Sequence, residues 1–305
     1  MNLKKIVVIG SSNTDMVVKS DRLPVPGETV LGGAFMMNPG GKGANQAVAV
    51  ARLGGNVTFI SKTGNDLFGK QSVEMFDEEN INTDFILSDP YHASGVALIM
   101  VDTTGENCIV VASGANGTLS PADIDKARSV IETADILLMQ LEIPMETVEY
   151  AARIASENGV KVILNPAPAA FLSNDLMKCL YAVVPNKTEA EMLSGIKVSD
   201  WESARQAADI ISAKGVDVVV ITLGSKGSLI KENGKYIEVP VEKIDAVDTT
   251  AAGDTFCGAL CVALSEGLSI SEAVEFANKA AGITVTREGA QAAIPYRKEL
   301  FQLIE

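Results

Sequence analysis

Histidine is nearly missing from this chain: among 305 residues there is one, His92. It lies in the run Asp89-Pro90-Tyr91-His92-Ala93-Ser94-Gly95, which reads as a loop. Histidine-dependent triads and zinc hydrolases are thereby disfavoured, because their indispensable ring would have to be this one. Cysteine is scarce too, at positions 108, 179, 257 and 261. Cys257 and Cys261 stand four apart on one predicted helix, but no second pair or histidine completes a zinc site. Both read as small core residues in a reducing compartment. Positive charge is the third shortage: 25 Lys and Arg face 39 acidic residues, for a net charge of −14 and a pI near 4.6. With no basic stripe to offset the acid, nucleic acid and anionic membranes are poor partners. Long apolar runs are the last absence. Residues 1–10 hold only Ile6-Val7-Val8-Ile9, too short for a secretory core and apt for a buried strand, and no stretch approaches membrane-spanning length. A cytoplasmic protein with no membrane or nucleic-acid partner is expected.

What is present is material for a large core, 47% of residues being apolar. Short apolar strands alternate with longer amphipathic helices, which predicts α/β architecture with a parallel sheet covered on both faces. Predicted strands are 5–9, 57–61, 135–140, 161–164, 182–185 and 217–222; helices include 43–53, 145–158 and 202–214. Gly159 and Gly215 stand where helices should stop. Residues 16–38 and 95–112 break this rhythm by alternating apolar and polar side chains. They predict a discontinuous sheet of antiparallel strands, from about 14–38 and 93–112, within one domain spanning 1–305. Its apolar outer face suits a lid that covers a cleft and meets a second subunit, making a homodimer.

One stretch carries most of the chemistry: Asp248-Thr249-Thr250-Ala251-Ala252-Gly253-Asp254-Thr255-Phe256, followed by an apolar helical pattern. Small residues at 251–253 let the backbone bend and aim N–H groups of Ala251, Ala252 and Gly253 at an anion. Asp254 stands where the helix field favours its charged form. An anion hole beside an ionised carboxylate suits phosphoryl transfer to a hydroxyl. A plain first-turn helix acid is the alternative reading of Asp254.

Other polar groups follow predicted strands, where open α/β sheets bind ligands. Asn13 and Asp15 follow the first strand and suit vicinal sugar hydroxyls, although a capped turn explains Asn13 equally well. Gly40-Gly41-Lys42-Gly43-Ala44-Asn45-Gln46-Ala47 opens a helix without matching the nucleotide P-loop pattern, and it places Gly41, Lys42 and Asn45 near a ligand. Glu142, Asn165 and Asn186 each follow a strand. Asn186 and Glu189, one helical turn apart, suit a hydrated Mg²⁺ or a helix cap. Thr222-Leu223-Gly224-Ser225-Lys226-Gly227 is a glycine turn apt for a nucleotide, or simply a turn.

The runs 40–47 and 248–254, with Asn165-Pro166-Ala167-Pro168-Ala169, Pro185-Asn186-Lys187-Thr188-Glu189 and Val285-Thr286-Arg287-Glu288-Gly289-Ala290-Gln291, resemble the signatures of the ribokinase-like (PfkB) carbohydrate kinase family. The resemblance covers essentially the whole chain. It implies a three-layer α/β/α fold with a mostly parallel central sheet and a small β-sheet lid. It also implies ATP-dependent phosphorylation of the 5-hydroxyl of D-ribose. Kinases for 2-deoxyribose, fructose or adenosine on the same fold are the alternative, and a non-catalytic sugar or nucleotide sensor is another. Carried over by position, Asp254 is the base and Ala251, Ala252 and Gly253 the anion hole. Asn13, Asp15, Gly41, Lys42, Asn45 and Glu142 hold the sugar. Asn186, Thr222, Gly224, Gly227 and Asn278 line the ATP site, with Glu189 near Mg²⁺. The resemblance further implies an activating K⁺ held by Asp248, Thr250, Thr284, Arg287, Gly289 and Ala293, several through carbonyls.

Overall fold

The computed structural model describes residues 4–301. β1 (Lys5–Ile9) leads into β2 (Asn13–Lys19) and β3 (Ala34–Gly40), and α1 (Lys42–Arg52) returns the chain to β4 (Asn56–Gly64). Next come α2 (Leu67–Glu78) and β5 (Asn82–Asp89), then β6 (Gly95–Val101) and β7 (Asn107–Ala112). Helices and strands then alternate through α3 (Pro121–Lys126), α4 (Arg128–Glu132), β8 (Ile136–Met139), α5 (Met145–Glu157), β9 (Lys161–Leu164), α6 (Asn174–Cys179) and β10 (Ala182–Val183). The rest is α7 (Lys187–Ser194), α8 (Trp201–Ser212), β11 (Val218–Thr222), the hairpin β12 (Ser228–Glu232) and β13 (Lys235–Val239), α9 (Ala252–Ser265) and α10 (Ile270–Thr284).

Nine strands form the main sheet in the order β13-β12-β11-β10-β9-β8-β1-β4-β5. Pairing is parallel from β11 through β5, and only the terminal hairpin is antiparallel. Parallel strands are buried on both faces, which is why β1 reads as an unbroken apolar run with Ile6 to Ile9 all buried. Alternate residues divide between two cores. Ile6, Val8 and Leu138 pack against α1, α9 and α10, whereas Val7, Ile9 and Leu137 pack against α3, α5 and α8. The result is three layers, α/β/α, as expected.

From β1 the chain builds toward β5 on one side and, later, toward β11 on the other. The order therefore reverses at β1, and a crevice opens beyond its C-terminal end. Over that crevice stands a four-stranded sheet, β3-β2-β6-β7. One expectation fails here: β2 and β6 pair in parallel, Asn13 opposite Gly95 through Lys19 opposite Val101. Both strands leave the C-terminal edge of the main sheet in the same direction, so they can only run side by side; β3 and β7 each return antiparallel to them. The predicted helix stops hold, with Gly159 and Gly215 left-handed just past α5 and α8. Helix α9 is buried all round from Asp254 to Leu264, and Cys257 and Cys261 are core residues within it.

Candidate active site

Two glycines let α1 and α9 start side by side. Gly41 has φ +90°, and a Cβ there would meet the backbone of Ser11 to Asn13. Gly258 lets α9 lie against α1, since its Cβ would fall 2.6 Å from that of Ala49. This packing delivers the side chains at the start of α1 to Asp254, in the first turn of α9. Asn45 Nδ2 donates to one Asp254 oxygen at 2.9 Å, and Gln46 Nε2 donates to the other at 3.0 Å.

Asp254 is 6% exposed. Burial raises its pKa, while Lys42, Asn45 and Gln46 pull it back down. Desolvation opposes the charge-favouring helix field here, and it makes the carboxylate a stronger proton acceptor. Ala251, before the helix, takes the left-handed conformation with φ +60°, a strained state for a residue with a Cβ. Of the three expected amide donors, Ala252 N–H is partly engaged, donating to Thr249 O at 3.3 Å. The turn forms because Ala251 folds the backbone back on itself, with Ala251 half-buried and Gly253 exposed.

Glu142, after β8, binds α1 from the opposite side. Its Oε2 accepts from Lys42 N–H at 3.0 Å and from Ser11 Oγ at 2.5 Å, joining the ends of β1, β8 and α1. Asp15 carries no such partners. Burial and then the charges of Glu142 and Asp254 raise its pKa to about 6, with Lys42 opposing. Lys42 is the cation shared by Asp254, Glu142 and Glu189, and their charges outweigh burial in raising its pKa. Four carboxylates around one ammonium leave the crevice acidic.

Asn186 and Glu189 form a capping box on α7: Glu189 N–H donates to Asn186 Oδ1 at 2.9 Å, and Glu189 accepts from Asn186 N–H and Nδ2, each at 2.8 Å. The helix-cap reading holds for this pair, and the cap's carboxylate lies within the field of Lys42 and Asp254. Asn186 also bridges to Thr222, placing β10 and β11 ends together. Gly224 and Gly227 are left-handed in the turn that follows. Next to that turn, Ser228 Oγ donates to Asn278 Oδ1 at 3.0 Å, leaving Asn278 Nδ2 buried without a partner. The bridge and the Ser228–Asn278 bond thus gather Asn186, Thr222 and Asn278 beside the glycine turn.

Asp248 ties two loops together. Its Oδ1 accepts from Thr250 N–H at 2.9 Å and Oγ at 2.6 Å, and its Oδ2 from Gly289 N–H at 3.0 Å. Burial would raise its pKa, but these bonds and nearby Lys19 hold it below the usual value. The Thr284 hydroxyl turns inward to Ala280 O and Thr255 Oγ1, and the Arg287 guanidinium pairs with Glu299. The side chains at both positions are thus committed, and the Thr284 carbonyl also accepts from Arg287 N–H at 3.1 Å. Ala293 closes a short 3₁₀ turn beside them.

Sequence reasoning gave no role to Gln46 or Gln140, which stand behind the site with Asn165. Gln46 Oε1 accepts from Gln140 Nε2 at 2.5 Å, Gln46 Nε2 also reaches Asn165 Oδ1 at 3.2 Å, and Asn165 Nδ2 donates to Val184 O at 3.1 Å. Asn165 therefore holds Gln46 rather than a ligand. The available signal was that Gln140, like Asn165 and the other residues identified, directly follows an apolar strand.

A pfkB family carbohydrate kinase model matches residues 3–297. The chain belongs to that family. A ribokinase of Haemophilus influenzae is 46% identical over 302 residues, covering 99% of each chain. A deoxyribokinase of Salmonella typhi is 36% identical, covering 95% of each. The structure of Arabidopsis thaliana ribokinase complexed with ribose and ATP superposes with a TM-score of 0.92 at 34% identity, covering 100% of this chain and 99% of that one. The chain is thus a carbohydrate kinase, with the three-layer fold and small accessory sheet of its relatives.

Proposed function

We propose that this kinase transfers the γ-phosphoryl group of ATP to the 5-hydroxyl of D-ribose. The observation that carries the chemistry is Asp254, a buried carboxylate with raised pKa beside the open amides of Ala251 and Gly253. Asp254 takes the hydroxyl proton as the sugar oxygen attacks the γ-phosphorus; the bond from that phosphorus to the bridging oxygen breaks, and ADP leaves. The amides neutralise charge gathering on the moving group. Asp15, Glu142 and Asn13 meet the remaining hydroxyls, and Lys42 screens the carboxylates from the incoming phosphates. The ribose assignment is supported by the ribokinase relatives and by acceptor-rich side chains at the sugar end.

The donor set fits the expected cations. Mg²⁺ carried by the triphosphate would neutralise phosphate charge, with Glu189 acting through its water shell because both its oxygens serve the α7 cap. K⁺ would suit the Asp248 carboxylate and the carbonyls of Thr250, Thr284, Arg287, Gly289 and Ala293, the Thr284 and Arg287 side chains being committed elsewhere. For assembly, the face of the small sheet bearing Val18, Phe35, Met37, Leu98 and Val110 is exposed and apolar, which suits a homodimer. Among the described residues no helix is long and apolar enough to cross a membrane.

ADP release measured with D-ribose, 2-deoxyribose, fructose and adenosine, with and without KCl, tests the proposal. D-ribose should give the highest kcat/KM, increased by KCl. A preference for 2-deoxyribose would move the assignment to the deoxyribokinase relatives, and no ADP release despite sugar binding would make the protein a sensor.

A further inference from the structure

Asn116 lies outside the motifs, 103 residues from Asn13, in the 3₁₀ turn Gly114–Thr118 that follows β7. It is 1% exposed, and every polar atom of its amide is used. Its Oδ1 accepts from Ser12 N–H at 2.9 Å; its Nδ2 donates to Ser12 O at 3.1 Å and to Asn13 Oδ1 at 2.8 Å. An amide side chain can usually be turned end for end without changing its shape. Here the backbone of Ser12 forbids that, because a main-chain N–H only donates and a main-chain carbonyl only accepts. With Asn116 fixed, Asn13 must face it with oxygen, and the Asn13 NH₂ is turned away from the buried pair. Asn13 and Asp15 are two apart on β2 and so project from the same face, one as donor and the other as acceptor.

We infer that Asn116 is a positioning residue for the sugar: it sets the Asn13 amide so that its NH₂, not its oxygen, meets a ribose hydroxyl. The inference rests on the ribose reading given above. The surrounding chain is built around this pair. β2 begins at Asn13, β6 begins at Gly95 opposite it, and the chain comes back from the small sheet through the turn that bears Asn116. A Cβ on Gly95 would lie 2.1 Å from Asn13 Oδ1 and 2.2 Å from Asn116 Nδ2, so only glycine leaves room for the two amides. Three of the four crossings between body and lid thus meet at one hydrogen bond, the fourth being the passage from β3 into α1. Because Asn116 takes its orientation from Ser12, on the body side, the donor is set independently of where the lid stands.

The test is a double-mutant cycle on KM for D-ribose. Asn116→Asp keeps the acceptor for Ser12 N–H but replaces the donor facing Asn13 with an acceptor, which turns the Asn13 amide over. KM for ribose should rise about tenfold or more, the loss of one well-placed hydrogen bond, with KM for ATP unchanged and kcat within about threefold. In an Asn13→Ala background the same change should add less than about twofold, since the group it orients is already gone. Asn116→Ser, which lacks the amide but adds no buried charge, runs through the same cycle in case the aspartate variant does not fold. Equal effects of Asn116 substitution in both backgrounds, or matched losses in ribose KM, ATP KM and melting temperature, would overturn the inference. Wild-type turnover of ribose, measured alongside, separates that result from a failure of the ribose assignment itself.

Discussion

The two ends of the crevice are built from different materials. At the sugar end, side chains do the work, and each is held by another side chain or by the chain far away in sequence: Asp254 by Asn45 and Gln46, Gln46 by Gln140, and Asn13 by Asn116. At the nucleotide end, the surface is mostly main chain: the left-handed turns at Gly224 and Gly227, with Thr222 and Asn278 beside them. A sugar must be told from its isomers by the placement of single hydroxyls, which requires fixed donors and acceptors. A triphosphate and a flat base need charge balance and shape, which turns supply. Substitutions at the sugar end should therefore be costly and selective, and those at the nucleotide end milder.

The largest effect is expected at the base. Asp254→Asn keeps the size of the side chain and removes the proton acceptor, so kcat should fall by about three orders of magnitude or more while ribose and ATP still bind. Turnover within tenfold of wild type would show that another group takes the proton. Next is the amide behind it. Gln46→Met removes a donor to the buried carboxylate and strands Gln140 Nε2, so stability should drop by about 2 kcal/mol. Because the base is then held on one side only, kcat should fall about 10- to 100-fold with little change in ATP KM. An unchanged kcat in the folded variant would mean that Asn45 alone suffices.

How much of this was legible in the sequence follows the same division. The central sheet was readable because its inner parallel strands are short apolar runs, as in Ile6-Val7-Val8-Ile9, and several are followed at once by a polar residue. The hairpin β12–β13 and the edge strand β5 were not identified, since Lys231, Glu232 and Lys235 mark a half-exposed sheet edge that resembles a loop. The reactive carboxylate, the glycine starts of α1 and α9 and the nucleotide turn all sit in short contiguous motifs. Asn116 and Gln140 do not: their meaning lies in partners more than 90 residues away, and a lone amide after a strand carries no local signature. The desolvation of Asp254 was hidden for a related reason, because a helix start is visible in sequence but the burial of one side chain is not.

Asp15 gives a smaller effect, with a definite sign. Its pKa is raised to about 6, so the carboxylate is ionised above that pH and protonated below it. Sugar hydroxyls donate best to the ionised form, so kcat/KM for ribose should rise with pH through about 6, by up to tenfold per unit, and then level off. Stability runs the other way: the folded protein holds this proton more tightly than the unfolded chain, so its cost at neutral pH is relieved as pH falls through about 6 toward 4. Asp15→Asn should remove that limb of the kcat/KM profile; a limb that persists belongs to Asp254.

The mildest prediction concerns Asn278, and it probes the nucleotide end most directly. Its Oδ1 is engaged by Ser228 while Nδ2 is buried and unpartnered, a combination that costs stability unless something else accepts from it. A bound nucleotide is the acceptor this geometry suits. Asn278→Ala should raise ATP KM about two- to fivefold, leave ribose KM alone, and change the stability of the free protein by less than about 1 kcal/mol, since the lost bond to Ser228 is offset by removal of the orphaned donor. Nucleotide binding should then raise the melting temperature less in the variant than in the wild type. An increase in ribose KM of the same size would mean that the two ends of the crevice are coupled through α10, and the division between them would have to be redrawn.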